Sequence, residues 1–282
     1  MAQKVAVVTG ANKGLGLAIV KGLCQKFDGI VYLTSRNEAL GLEAVKTLKE
    51  IGLKPEYHQL DITDIESVKV LADFIKTKHG GFDVLVNNAA ILESRQIYPT
   101  YESAKKNIDT NYRSLLTIER YLYPLLRDGA RVVNVSSACG HLSNLKNAHW
   151  VKILQSPDLT VEQLNQFVDQ YLESVRNGTF DMNDFADEGK HAAHRVSKIA
   201  LTALTKIQQR KYNNISINAV HPGHVITDMS NGAGDIEPDE AAKVVLYLIL
   251  EASSKLKGTF MWHNGKIIDW LDADSDFWYQ CP

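Results

Sequence analysis

Cysteine is scarce in this chain. Its three residues, Cys24, Cys139 and Cys281, form no Cys-x-x-Cys pair, which removes thiolate zinc clusters and dithiol redox motifs from consideration. An odd count with no secretory leader predicts reduced thiols and a cytoplasmic location. Met1-Ala2-Gln3-Lys4 runs straight into an apolar stretch, so no signal or transit segment is expected. Long hydrophobic runs are missing too: the stretch 244–250 is too short to span a bilayer. Charge of one sign is missing, with 31 basic against 33 acidic residues and a net charge of −2. That balance gives no basic stripe for nucleic acid and no attraction to an anionic membrane. Repeats and low-complexity tracts are absent. Two glycosylation patterns, Asn177-Gly178-Thr179 and Asn214-Ile215-Ser216, are discounted for want of a secretory route. His191/His194 and His221/His224 lie at His-x-x-His spacing but lack a Cys or carboxylate at ligand spacing, so no metal is expected.

What is present is alternation. Apolar, β-like runs at 5–9, 30–34, 56–60, 84–87, 131–135, 216–220 and 258–262 are separated by helix-length segments at about 14–26, 37–52, 64–79, 101–127, 194–212 and 238–252. Alternating β and α predicts one doubly wound α/β domain over 1–282: a parallel sheet of about seven strands, helices on both faces, and ligand at the carboxyl ends of the strands. Between about 138 and 190 the alternation stops. Thr160-Val161-Glu162-Gln163 reads as a capping box ahead of Leu164, Val168, Tyr171 and Leu172, with Asn177-Gly178 as the stop. The segment is expected to be a helical insertion, too short for a core of its own. A tail at about 271–282 follows.

The densest motif is Thr9-Gly10-Ala11-Asn12-Lys13-Gly14-Leu15-Gly16, directly behind Val5-Ala6-Val7-Val8. A strand enters a glycine-rich turn that opens a helix, whose unpaired N–H groups and positive dipole end suit a phosphate. Arg36 follows the second strand, where an NAD-specific protein would carry an acid for the ribose. With Lys13 it suits a 2′-phosphate and therefore NADP(H); taken singly, each is an ordinary surface cation. Asp61-Ile62 closes the third strand, where a carboxylate can accept the adenine amino group, and Asn87-Asn88-Ala89-Ala90 closes the fourth.

In this order, with Asn111, Ser136-Ser137, and Pro222-Gly223 followed by Val225 and Thr227, these residues resemble the short-chain dehydrogenase/reductases. Gly10 to Val20, His58 to Ile62 and Gly81 to Ala89 resemble the NADPH-dependent carbonyl reductases in particular, and the resemblance covers roughly 4–270. It implies carbonyl reduction by hydride transfer from the nicotinamide. The cofactor residues it implies are Gly10, Asn12, Lys13, Gly14, Leu15, Gly16, Arg36, Asp61, Ile62, Asn88, Ala89, Ala90, His194, Lys198, Pro222, Gly223, Val225 and Thr227. The catalytic ones are Ser137 on the substrate carbonyl, Lys198 on the nicotinamide ribose, Asn111 on a relay water, and His194.

His194 is the departure. Ala193-His194-Arg195-Val196-Ser197-Lys198 carries histidine where the family has its acidic tyrosine. Imidazole has an ordinary pKa of about 6.5 and can act as an acid, but Lys198 one turn away disfavours imidazolium. Imidazole also reaches less far than a phenol. The reading is therefore NADPH-dependent reduction of ketones, aldehydes or quinones, impaired at the acid. The alternative is a non-catalytic NADP(H)-binding protein acting as cofactor sensor or scaffold. The partner is a small carbonyl compound, with Trp150, Phe167 and Met229 as pocket candidates. The insertion should cover the face through which many relatives tetramerise, so a monomer is expected.

Overall fold

The computed structural model describes residues 3–93, 98–181, 184 and 191–272. They build one eight-stranded sheet in the order β3-β2-β1-β4-β5-β6-β7-β8. The strands are β1 (Lys4–Val8), β2 (Gly29–Ser35), β3 (Glu56–Gln59), β4 (Phe82–Asn87), β5 (Leu126–Val135), β6 (Ser216–His221), β7 (Phe260–Trp262) and β8 (Ile267–Ile268). All neighbours are parallel except β7 and β8. The central strands are apolar along most of their length because helices cover both faces; Val5, Ala6, Val8, Leu85 and Val86 are wholly buried. β8 escapes the sequence reading because two residues carry no periodicity.

Helices α1 (Gly14–Lys26), α2 (Glu38–Glu50) and α3 (Ile65–His79) begin and end within two residues of expectation. Asn37 and Asp64 cap α2 and α3 with their side chains, and Gly80 ends α3 in the left-handed region at φ 68°. The expected helix 101–127 is subdivided. α4 (Tyr101–Ile108) passes through a π turn at Asp109–Arg113 into α5 (Ser114–Leu122), and a 3₁₀ turn containing Pro124 ends it. The expected run overshoots because proline lacks the N–H that continues a helix, and β5 begins at Leu126.

The interrupted region is helical, as expected: α6 (Ala148–Leu154) and α7 (Val161–Arg176). Both halves of the Thr160/Gln163 capping box form. α7 buries Leu164, Phe167, Val168, Tyr171 and Leu172 and packs on α4 and on the long helix α8 (Ala192–Lys211). Trp150 and Phe167, 4% and 0% exposed, lie edge to face at 5.4 Å, so both are core rather than pocket lining. α9 (Pro238–Leu250) packs on α1. The expected tail lies outside the described residues beyond Asp272.

The thiol expectation is corrected. Cys139 is disulfide-bonded, and with it goes the thiol argument for a cytoplasmic location; spacing along a chain does not say which thiols meet in space. Cys24 is a free thiol that burial pushes up to about 11, leaving it protonated and inert. Among the described residues no helix is long and apolar enough to cross a membrane.

Candidate active site

The topology places the sequence-derived residues on one edge of the sheet. Thr9-Gly10 leave β1, Arg36 leaves β2, Asp61 follows β3, Asn88 leaves β4, Ser137 follows β5 and His221 ends β6. Strand order reverses between β1 and β4, where a crevice opens in folds of this kind.

Much of the glycine motif serves the backbone. Gly10 has φ 61°, and a Cβ there would come within 2.8 Å of Ala89 Cα. A Cβ at Gly16 would meet the Asn88 amide at 2.5 Å. Asn88 Nδ2 donates to the carbonyls of Thr9 and Gly10, at 2.9 and 3.0 Å. Its own backbone N–H and that of Ala89 donate to the Thr9 hydroxyl, both at 3.0 Å. Asn88 thus clips β4 to β1, and Thr9, which sequence reasoning passed over, is the other half of the clip. Ala89 and Ala90 follow it, half-buried.

Helix α1 has no side chain capping its start and no acid in its first turn; Leu15 and Gly16 are buried there and Asn12 is half-buried. Gly14 has φ 56°, and Thr227 Cγ2 lies 3.1 Å from where its Cβ would be. Lys13 is exposed and pairs with Asp228 at 2.6 Å across the mouth. Arg36 is exposed and without an ion pair among the described residues. Asp61 receives the backbone N–H and hydroxyl of Thr63 on Oδ1, at 2.9 and 2.7 Å, leaving Oδ2 available beside buried Ile62. Uncapped amides, a left-handed glycine and two cations form a donor set that fits a dinucleotide with an extra phosphate. Pro222, Gly223 (φ 88°) and Val225 lead from β6 to Thr227, and Val225 bridges to Ile236.

On the other side of the crevice, Ser137 is half-buried and its Oγ accepts from the Cys139 amide at 3.2 Å. Its own O–H has no acceptor among the described residues and remains able to donate. Lys198, 3% exposed, donates from Nζ to the Val135 carbonyl at 2.8 Å. Burial lowers its pKa to about 8. Asn111 sits in the π turn, a feature frequent at functional sites. Its side chain bonds both backbone groups of Ile91, at 2.9 and 3.0 Å, and reaches Ser197 Oγ at 3.1 Å. Ser197 in turn donates to the His194 carbonyl at 2.7 Å. The segment after β4 is thereby tied to the turn of α8 that carries His194 and Lys198.

His194 is 8% exposed and its Nδ1 has no hydrogen-bond partner. Burial first, then the Lys198 and His191 charges, lower its pKa to about 3, against a smaller opposing effect of the Ile91 carbonyl. The direction expected from Lys198 is met, but desolvation is the larger cause. The imidazole is neutral at neutral pH. Of the two histidine pairs, His221 has its Nδ1 engaged by the Ala138 amide; among the described residues no three His, Cys, Asp or Glu side chains are grouped as a metal site.

The fold and this crevice define a doubly wound, dinucleotide-type oxidoreductase architecture. A family model for the short chain dehydrogenases matches residues 4–150, and the chain belongs to that family. Carbonyl reductase [NADPH] 1 of Sus scrofa is 36% identical over 277 residues, covering 95% of this chain and 94% of that protein. Among solved structures, salutaridine reductase from Papaver somniferum superposes with a TM-score of 0.85 at 33% identity, covering 92% of this chain and 99% of that one. Menthone neomenthol reductase from Mentha piperita gives 0.79 at 32%, covering 93% and 99%.

Proposed function

We propose that this chain reduces small carbonyl compounds with NADPH, at a rate lowered by histidine at the acid position. The observation that carries the reading is the pairing of Ser137, whose hydroxyl is free to donate, with buried Lys198 and the engaged Asn111 on one wall of a crevice whose other wall fits a phosphorylated dinucleotide. The relatives named as NADPH carbonyl reductases support it. When bound, the cofactor supplies a hydride to the carbonyl carbon. Ser137 hydrogen-bonds the carbonyl oxygen and steadies the charge that develops there. Lys198, ammonium below about 8, would hold the cofactor sugar, and the π turn sets Asn111 against Ile91 and Ser197 of the neighbouring turn. Lys13, Arg36 and the start of α1 would hold the phosphates.

What is weakened is the proton step. A neutral imidazole can donate a hydrogen bond, but it does not act as imidazolium until far below neutrality. The alkoxide therefore takes its proton from water. Losing a positioned acid costs about 10²–10⁴-fold. The unpartnered Nδ1 of His194 is also the observation that favours the second reading, a cofactor-binding protein without turnover. The testing experiment is NADPH oxidation against a panel of quinones, ketones and aldehydes, beside direct NADPH and NADH titrations. Slow turnover with NADPH preferred supports reduction; tight binding with no turnover favours the sensor; failure to bind NADPH overturns both.

A further inference from the structure

The turn carrying Ser137 is held by groups that the reaction described above does not use. The Ser136 amide donates to the Val220 carbonyl at 2.8 Å. The Ala138 amide donates to Nδ1 of His221 at 3.0 Å. The amide groups of the residues on either side of Ser137 are therefore held by the last two residues of β6, that of Ser136 by a backbone bond and that of Ala138 by a side chain that takes over where β5 has ended. On its other side, the Ala138 carbonyl accepts from Nδ2 of Asn144 at 3.0 Å, and Asn144 also donates to the His141 carbonyl at 3.0 Å. Asn144 Oδ1 accepts from Arg195 at 2.7 Å. Arg195 is 5% exposed and stands next to His194 on α8.

His221 is built to accept. Its ring is buried and lies against Trp262 at 4.3 Å between centroids. Burial, with the His263 and His224 charges, lowers its pKa to about 3. The lone pair on Nδ1 is thus retained at neutral pH, whereas a protonated ring would have none to offer.

We propose that His221 is a positioning residue for the reduction: it fixes the Ala138 amide and so sets the direction of the Ser137 hydroxyl, while Asn144, held by Arg195 of α8, braces the next peptide through the Ala138 carbonyl. What Ser137 does rests on the function proposed above; that it is aimed by His221 rests on this geometry. A displacement of about 1 Å at a group contacting the reacting carbonyl can cost roughly 100-fold, so the brace acts on kcat rather than on cofactor affinity.

Two substitutions separate the acceptor from the packing. His221→Asn places an amide oxygen where Nδ1 lies. His221→Phe keeps a ring against Trp262 and removes the acceptor. The expected result for His221→Phe is Ala138 amide exchange faster by about tenfold or more, since a buried donor is left unmade. Its kcat for a ketone, read in the unaltered chain and in His194→Tyr, falls by about tenfold to 100-fold, with KM and NADPH affinity little changed. His221→Asn restores both. Equal losses in the two variants, or an Ala138 amide as protected in His221→Phe as before, overturn the proposal. Should His221→Phe fail to fold, a through-hydrogen-bond coupling between the Ala138 and His221 nitrogens in the unsubstituted protein decides the bond, and the Asn variant's kcat decides the role. If no variant turns over a carbonyl although the bond is present, it is the reductase reading that fails.

Discussion

On the β1–β4 side of the crevice, polar side chains hold one another and leave the ligand-facing positions to backbone amides and exposed cations. Asn88 and Thr9 close on each other, and what remains open is the uncapped start of α1 with Arg36, beside Lys13 in its exposed pair with Asp228. On the β5–β6 side the positions proposed to face the ligand are side chains: half-buried Ser137 with buried Lys198 and His194. A backbone-built site tolerates change around it, because its donors do not depend on residue identity. A side-chain-built site changes its chemistry when one residue changes, and His194, proposed to stand at the acid position, would be such a change. Binding and turnover are therefore expected to come apart in this chain.

The largest expected effect lies on the altered side. His194→Tyr restores the family's phenol and raises kcat by about 10²–10⁴-fold, measured by steady-state NADPH oxidation with a reactive quinone. No gain against a broad carbonyl panel would place the lesion beyond the acid. Next comes the cation pair. Arg36→Asp weakens NADPH binding by about 10- to 100-fold, the worth of charge-assisted phosphate contacts, and leaves NADH nearly unchanged in direct titration; equal losses for both would remove the 2′-phosphate assignment.

A third effect is on stability. His194 and His221 each have a folded pKa of about 3, below the ordinary 6.5 of an unfolded histidine. Between those values the unfolded chain binds more protons, so stability rises with pH across that window. It is fully present above 6.5 and is lost as pH falls, by about 1.4 kcal/mol per pH unit for each group. Urea denaturation at pH 7, 6 and 5 should show the loss, and His194→Tyr should remove one share of it. By the same neutrality, kcat of the unaltered chain should not climb as pH drops from 7.5 to 6. A climb through an apparent pKa near 6 would make imidazolium the acid. The smallest effect is on assembly: with α7 packed over α4 and α8, sedimentation velocity should show a monomer whether or not NADPH is present, and a stable tetramer would contradict the covered face.

The fold was legible because the signals that set it are local and periodic: apolar runs, the glycine turn, the Thr160 capping box. The π turn around Asn111 and the two-residue β8 were not, since neither leaves a period. The site was legible as residue types in order along the chain. Through-space facts were invisible: that Asn88 is absorbed by Thr9, that Trp150 and Phe167 meet edge to face in the core, that Cys139 is disulfide-bonded, and that Arg195 is buried against Asn144. His221 was legible as a histidine and misleading as half of a metal-spaced pair, because spacing cannot show an amide aimed at Nδ1.

The measurement that tests the separation of the two sides most directly is equilibrium titration of NADPH into the unaltered protein and into His194→Tyr, followed by protein fluorescence. Saturable binding in both, with affinities equal within about twofold, is the expected result, since the phosphate contacts stand apart from residue 194. An unaltered chain that does not saturate, or that binds tenfold or more weakly than its tyrosine variant, would show that the histidine has disturbed the cofactor side as well.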